Sequence, residues 1–444
     1  MLKKNKAESI KTFWIGTLGL PASIEDVKSL ADVSLYRNAV YLILNYALLG
    51  LTGFFFWMAA ARLYSAEVVG LASSAISAAG LLTMISNLGM DLGLIRFLPF
   101  AGSNRNALIS SSFTIAGIMA IAFALIFIEG TGIWSPALSF LLVNPLYFFT
   151  FIFVVLANSL QTLAGQCFIA ARASRYVLIQ GLMIGVLRFI PMLLLALLTS
   201  GLGIFWSWGI AVVLTALISI LVFMPRVYNG VNFLPSLHDK LDAAMVKFSI
   251  ANFISSICWL VPQTVLPILV LNLLGAEQNA YFYIGWSIAG IVFMVPSGVS
   301  NALLAEVSKD EQKLRQEVRK SIKFIVILLI PVVLVLLFAG NYVLMLFGKI
   351  YSENAFNLLC LLVISSLPLS LNYIFFTVRR AEKKMMQVIL LSAFIAVGTI
   401  TGSYYLMPRL GIAGVALGWL ICQTTAGLFT FPYLLHRFIR YGEG

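Results

Sequence analysis

The sequence predicts an all-α polytopic membrane protein with 12 transmembrane helices in two parallel six-helix lobes around a central cavity. Three observations carry that expectation. Of 444 residues, 61% are apolar and only 10% charged, with a mean hydropathy of +0.99. Soluble domains hold about 25% charged residues, so this chain lacks the charges a water-facing surface needs. The apolar residues run continuously instead of alternating with the period of two that marks a membrane β-barrel. Finally, the basic residues gather in every second loop.

A helix crossing a hydrocarbon layer of about 30 Å needs roughly 20 apolar residues. On that criterion the first six spans cover approximately 38–61, 68–90, 107–127, 137–165, 176–199 and 204–223. The second six cover approximately 248–273, 279–300, 324–346, 355–378, 386–407 and 412–435. Connections after even-numbered spans, together with both tails, carry 25 of the 29 Lys and Arg residues. Connections after odd-numbered spans hold Arg62, Lys349 and Arg409, and Arg188 falls inside span five. This asymmetry predicts a multi-pass protein of the cell membrane with both termini in the cytoplasm. The expected organisation is a basic tail (1–33), an N-terminal lobe (34–223), a cytoplasmic linker (224–247), a C-terminal lobe (248–437) and a short tail (438–444). The apolar stretch 13–20 is too short to cross, and no small-residue cleavage site follows it. It reads as part of a basic tail, either lying on the anionic inner leaflet or disordered.

An internal repeat supports the two lobes. At an offset of 210, segment 65–84 aligns without gaps to 275–294, sharing Ala66/Ala276, Glu67/Glu277, Ser77/Ser287, Ala79/Ala289, Gly80/Gly290 and Met84/Met294. Leu202-Gly203-Ile204 repeats as Leu410-Gly411-Ile412 at the near-equal offset of 208. Lobes of six spans have the same orientation, so the repeat is parallel, about an axis along the membrane normal. Such architecture suggests a cavity between lobes that rock to alternate access.

Several function classes are disfavoured. The four cysteines, Cys167, Cys258, Cys360 and Cys422, form no C-x-x-C pair, and the two histidines lie in polar or terminal segments. No nucleophile triad, Walker-type loop or H-E-x-x-H motif is present. We therefore expect no enzyme, no catalytic residue, no metal and no cofactor. The net charge of +12 reads first as a topology signal, and no nucleic-acid partner is expected.

The chain resembles the polysaccharide-export (oligosaccharide–lipid flippase) branch of the MATE-like, or MOP, superfamily. Four features carry the likeness, over about 38–437: Leu35-Tyr36-Arg37-Asn38 before span one; segment 65–84 followed by Gly89-Met90-Asp91-Leu92-Gly93-Leu94-Ile95-Arg96-Phe97-Leu98-Pro99; the counterpart that opens Leu274-Gly275-Ala276-Glu277 and closes Asn301-Ala302-Leu303-Leu304-Ala305-Glu306; and Pro408-Arg409-Leu410-Gly411-Ile412-Ala413-Gly414-Val415-Ala416 before span twelve. The resemblance implies a lipid-linked (polyprenyl-diphosphate) oligosaccharide as cargo, flipped from the cytoplasmic to the outer leaflet for cell-surface polysaccharide synthesis. Membrane lipids and glycan-synthesis enzymes are the other partners it implies. The alternatives are an ion-coupled drug or metabolite antiporter of the same superfamily, and a scaffold that transports nothing.

Arg188 is the sharpest residue-level signal. It lies about 18 Å along span five, too deep to snorkel easily. A mid-membrane cation costs roughly 2.5–3.5 kcal/mol on insertion scales and therefore faces protein or water. Pro191 has no N–H for the Leu187 carbonyl, leaving a polar group beside the guanidinium. Such an arginine either grips a diphosphate bidentately or bonds neighbouring carbonyls. Arg96 and Arg37 stand where a lipid phosphate would enter; an ion pair with Asp91, or an interface anchor, is the competing role for Arg96. Gln263, beside Pro262, and Asn252 either bond sugar hydroxyls or join helices. All 17 carboxylates fall in loops, tails or span ends, which favours an anionic cargo over a cationic one.

Overall fold

Inside hydrocarbon the backbone has only itself to bond, and the crossing segments are accordingly helical. The computed structural model describes residues 34–197, 203–228, 230, 243–307, 314–382 and 384–436. The first half contains α1 (Ser34–Leu63), α2 (Ala66–Ser86), α3 (Met90–Phe97), α4 (Arg105–Glu129), α5 (Pro145–Ala170), α6 (Arg175–Leu187), α7 (Phe189–Leu197) and α8 (Gly203–Ile218). The second contains α9 (Ala243–Leu274), α10 (Ala276–Val307), α11 (Leu314–Met345), α12 (Lys349–Ala381), α13 (Met385–Leu410) and α14 (Ile412–Leu434). Among the described residues, 11 crossings are long and apolar enough for a membrane, α6 and α7 together making one. The seventh expected span is α9, a helix of 32 residues whose described apolar part is Leu260–Leu274. The basic tail, most of the 224–247 linker and the short tail 438–444 lie outside the described residues.

Three predicted spans differ in detail. Span two stops at Ser86, because Leu88 and Gly89 turn left-handed (φ 49° and 74°) before α3 begins. A Cβ at Gly89 would lie 2.1 Å from the Ser249 carbonyl oxygen, so α9 closes against bare backbone there. Span four starts at Pro145, not near residue 137. Asn144 caps it by accepting from the Leu146 N–H at 2.9 Å, and proline occupies the position where a missing N–H costs nothing. The preceding apolar residues form short turns, Pro136–Leu138 and Phe140–Val143. Span five is not one helix but two, broken at Arg188.

The repeat reappears as structure. The helices α2 and α10 begin at the aligned residues Ala66 and Ala276, and α14 begins at Ile412, one residue after Gly411. Helix α2 is rich in Ala, Ser and Gly, and its buried Ser73, Ser74, Ala75, Ala78 and Ala79 let neighbouring backbones approach closely. It is the main link between the halves, packing on both α9 and α10. Helix α12 is the corresponding hub of the second half, against α10, α11 and α14. There Asn372 donates to the Gln423 backbone carbonyl at 3.0 Å and to its side-chain oxygen at 2.8 Å. By contrast α11 turns Leu334, Val335 and Phe338 outward, as a lipid-facing helix does.

One polar clamp closes α12 against α14. Arg379 pairs with Glu382 at 2.8 Å and lies 3.7 Å over the Tyr433 ring, while the Tyr433 hydroxyl donates to Glu382 at 2.9 Å. Both charged side chains are about nine-tenths buried. Removing one member of a buried pair costs about 3–5 kcal/mol, because its partner stays desolvated. Glu382→Ala is therefore expected to lower the thermal unfolding temperature in detergent by several degrees, whereas Lys349→Ala, at an exposed pair, leaves it unchanged.

Candidate functional site

Pro191 sets the local geometry around Arg188. Its ring cannot donate to the Leu187 carbonyl, and the helix breaks between α6 and α7 with Arg188 at the joint. The side chain is 7% exposed. Its Nη2 donates to Thr52 Oγ1 at 3.2 Å, and its guanidinium carbon stands 4.5 Å from the centre of the Phe56 ring. Thr52 in turn donates to the Leu48 carbonyl at 2.7 Å, which leaves its oxygen free to accept from the arginine. Thr52 and Phe56 are four residues apart and so share a face of α1. Across the seam, the Tyr283 ring of α10 lies 4.6 Å from that of Trp57 of α1, tilted by 58°, next to the Phe56 that faces Arg188. The guanidinium thus lies where α1, the α6–α7 joint and α10 meet.

This setting only partly satisfies the charge. A guanidinium has five N–H donors, and among the described residues Arg188 Nε has no partner. A cation–π contact contributes about 0.5–2 kcal/mol and a hydrogen bond about 1 kcal/mol, roughly offsetting the insertion cost and leaving donor capacity over. Among the described residues no carboxylate pairs with it. The arrangement can bind an anion.

The other predicted residues do not all converge on it. Arg37 is exposed at the start of α1, about 22 Å along the helix from Thr52. Arg96 is exposed on α3, 5.7 Å from the centre of the Phe97 ring, and α3 packs mainly on α5 and α9. Asp91 sits at the start of α3, where burial raises its carboxyl above the ordinary range. Gln263 lines a cavity of about 170 Å³ in the second half. The side chain of Asn252 lies outside the described residues.

Sequence reasoning missed the partners, Thr52, Phe56 and Tyr283, and also the seam at the Arg62 end. There a Cβ at Gly70 would lie 1.7 Å from the Ala276 carbonyl oxygen, so α2 and α10 touch backbone to backbone. The buried amide of Asn279 donates to the Gly70 carbonyl at 2.8 Å and meets the Ser73 and Ser74 hydroxyls at 3.0 and 2.8 Å. Arg62 reaches from α1 to the last carbonyl of α11, that of Met345 (2.6 Å), and to that of Leu346 just beyond it (2.9 Å). Such carbonyls are unsatisfied within their own helix and attract cations. The halves are therefore tied at this end. The sequence signal for Asn279 was a polar residue in the first turn of the repeated helix.

A MatE family model matches residues 251–405. The putative O-antigen transporter of Shigella flexneri is 26% identical over 156 residues, which are 34% of this chain and 37% of that protein. The match thus spans little more than a third of that relative. In three dimensions the chain is similar to the lipid II flippase MurJ in an inward closed conformation, with a TM-score of 0.75 and 11% identity over 89% of this chain and 87% of that one. It is also similar to an inward-facing multidrug-resistance MATE transporter, with a TM-score of 0.63 and 13% identity over 86% and 94%.

Proposed function

We propose that this chain, which belongs to the MATE-like (MOP) superfamily of membrane transporters, flips a lipid-linked oligosaccharide from the cytoplasmic to the outer leaflet of the cell membrane. The observation that carries the reading is Arg188, a buried guanidinium at the seam of the two halves that has no carboxylate partner among the described residues and has donor capacity to spare. A polyprenyl diphosphate supplies the anion that fits it bidentately. The similarity to an O-antigen transporter and the MurJ-like fold support the same cargo class.

In this mechanism the glycan and diphosphate pass between the six-helix lobes while the polyprenyl tail stays in lipid. The tie at the Arg62 end closes one face, and its release with closure at the other exchanges access. Both termini are cytoplasmic, so Arg37 and Arg96 stand at the inward mouth and Arg62 at the outer one. The chain carries out no covalent chemistry on its cargo.

A second reading, an ion-coupled antiporter for drugs or metabolites, is favoured by the likeness to multidrug MATE transporters. Purified protein in liposomes bearing a labelled polyprenyl-diphosphate sugar decides between them. Protein-dependent exchange of the label between leaflets is expected. Efflux of a lipophilic cation driven by an ion gradient, without lipid exchange, would establish the antiporter; neither activity would leave a scaffold.

A further inference from the structure

The cavity that contains Gln263 has its own chemistry. It lies among α9, α10, α12 and α14, and Trp286, Phe293 and Trp419 supply aromatic walls. Trp286 stands edge-on to the other two, 5.2 Å from Trp419 (72°) and 6.3 Å from Phe293 (81°). Phe293 and Trp419 lie 6.2 Å apart and nearer parallel (32°). Gln263, Ser297 and Tyr373 add polar side chains to the lining. Trp419 is 3% exposed, yet its indole N–H has no acceptor among the described residues.

Position ties this cavity to the arginine. Tyr283, packed on Trp57 next to the Phe56 that faces Arg188, is followed on α10 by Trp286, Gly290, Phe293 and Ser297 at steps of three and four residues, which place all five on one helix face. The cavity residues thus extend from about 4.5 to 21 Å along α10 from Tyr283. A Cβ at Gly290 would meet nothing within 4 Å, so this face of α10 opens on free space. Met294, another wall, approaches within 4.0 Å of a Cβ position at Gly50 on α1, so the cavity adjoins the seam between the halves.

We infer that this cavity is a sugar subsite, which receives the ring attached to a diphosphate held at Arg188; the inference rests on the functional reading above. Flat aromatic faces take the apolar C–H face of a pyranose, and the amide and hydroxyls take its hydroxyls. A volume of about 170 Å³ accommodates one ring, whereas drug-sized ligands occupy pockets of about 300–1,000 Å³. Among the described residues none that lines the cavity is acidic, which argues against a cationic occupant.

The test compares binding of farnesyl diphosphate with that of a farnesyl-diphosphate-linked N-acetylhexosamine by purified full-length protein. One ring contact with a hydrogen bond makes the glycosylated ligand bind about tenfold more tightly. Trp286→Ala removes a wall, and Gly290→Leu fills the cavity from an unobstructed position; both are expected to abolish the tenfold difference while sparing farnesyl diphosphate. Arg188→Gln weakens both ligands by the same factor and keeps their ratio. Equal binding of the two ligands by the wild type, or a ratio that survives Gly290→Leu, overturns the subsite and leaves the flippase reading standing. Binding of neither ligand overturns the flippase reading and the subsite together. Loss of tetraphenylphosphonium binding in Gly290→Leu, with the glycosylated ligand unaffected, reassigns the cavity to cations.

Discussion

Arg188→Ala is expected to reduce leaflet exchange of a polyprenyl-diphosphate sugar in liposomes by about ten- to a hundredfold, while the protein still inserts and stays folded. The magnitude follows from hydrogen bonds to a charged partner, worth about 1.5–3 kcal/mol, at 1.4 kcal/mol per factor of ten. Folding survives because the truncation removes a desolvated cation that has no counter-charge among the described residues. The lost contacts are one hydrogen bond to Thr52 and the stacking on Phe56. Arg188→Lys separates charge from shape: it keeps the cation but not the planar fork, so it falls between wild type and alanine. Thr52→Val removes the acceptor that positions Nη2 and is expected to have a smaller effect than either. Unchanged exchange by Arg188→Ala would take the arginine out of the mechanism.

How much of this was readable beforehand depended on the length scale of the physics involved. The crossings were legible because hydrocarbon selects continuous apolar runs irrespective of packing. The repeat was legible because Ala66 and Ala276 open helices that meet each other, so both copies carry similar small residues. The exact start of α5 was not, since residues 137–143 are as apolar as the helix that follows Pro145. Arg188 stood out as a charge in an apolar run, and Pro191 as a residue with no N–H for the Leu187 carbonyl, at the point where α6 gives way to α7. Its partners did not stand out. Thr52 is one hydroxyl among many, and only three-dimensional placement gives it a guanidinium 136 residues away. Gln263 and Asn252 looked equivalent as buried amides, yet the cavity around Gln263 is built by aromatic residues from three other helices.

Gly70→Ala tests the seam with a single methyl group. Real Cβ atoms essentially never approach within 3.0 Å of another heavy atom, and this one would lie 1.7 Å from the Ala276 carbonyl oxygen. The obstacle is backbone, so it cannot rotate away, and α2 and α10 must separate at the Arg62 end. That movement stretches the Asn279 contacts to Gly70, Ser73 and Ser74, which stand at 2.8–3.0 Å and weaken steeply with distance. The methyl therefore acts against this closed arrangement and not against folding of either half. Spin labels on Leu63→Cys and Tyr342→Cys, both exposed, are expected to show a longer distance in the Gly70→Ala background than in the parent. Transport should fall by at least about tenfold, because a tie lost at one end biases the two-state equilibrium on which alternation depends. Asn279→Leu, which removes the amide but leaves the glycine, should shift the distances in the same direction and less far. Unaltered distances in Gly70→Ala, in protein that elutes as the parent does, would mean that α2 and α10 do not form the closure at the Arg62 end.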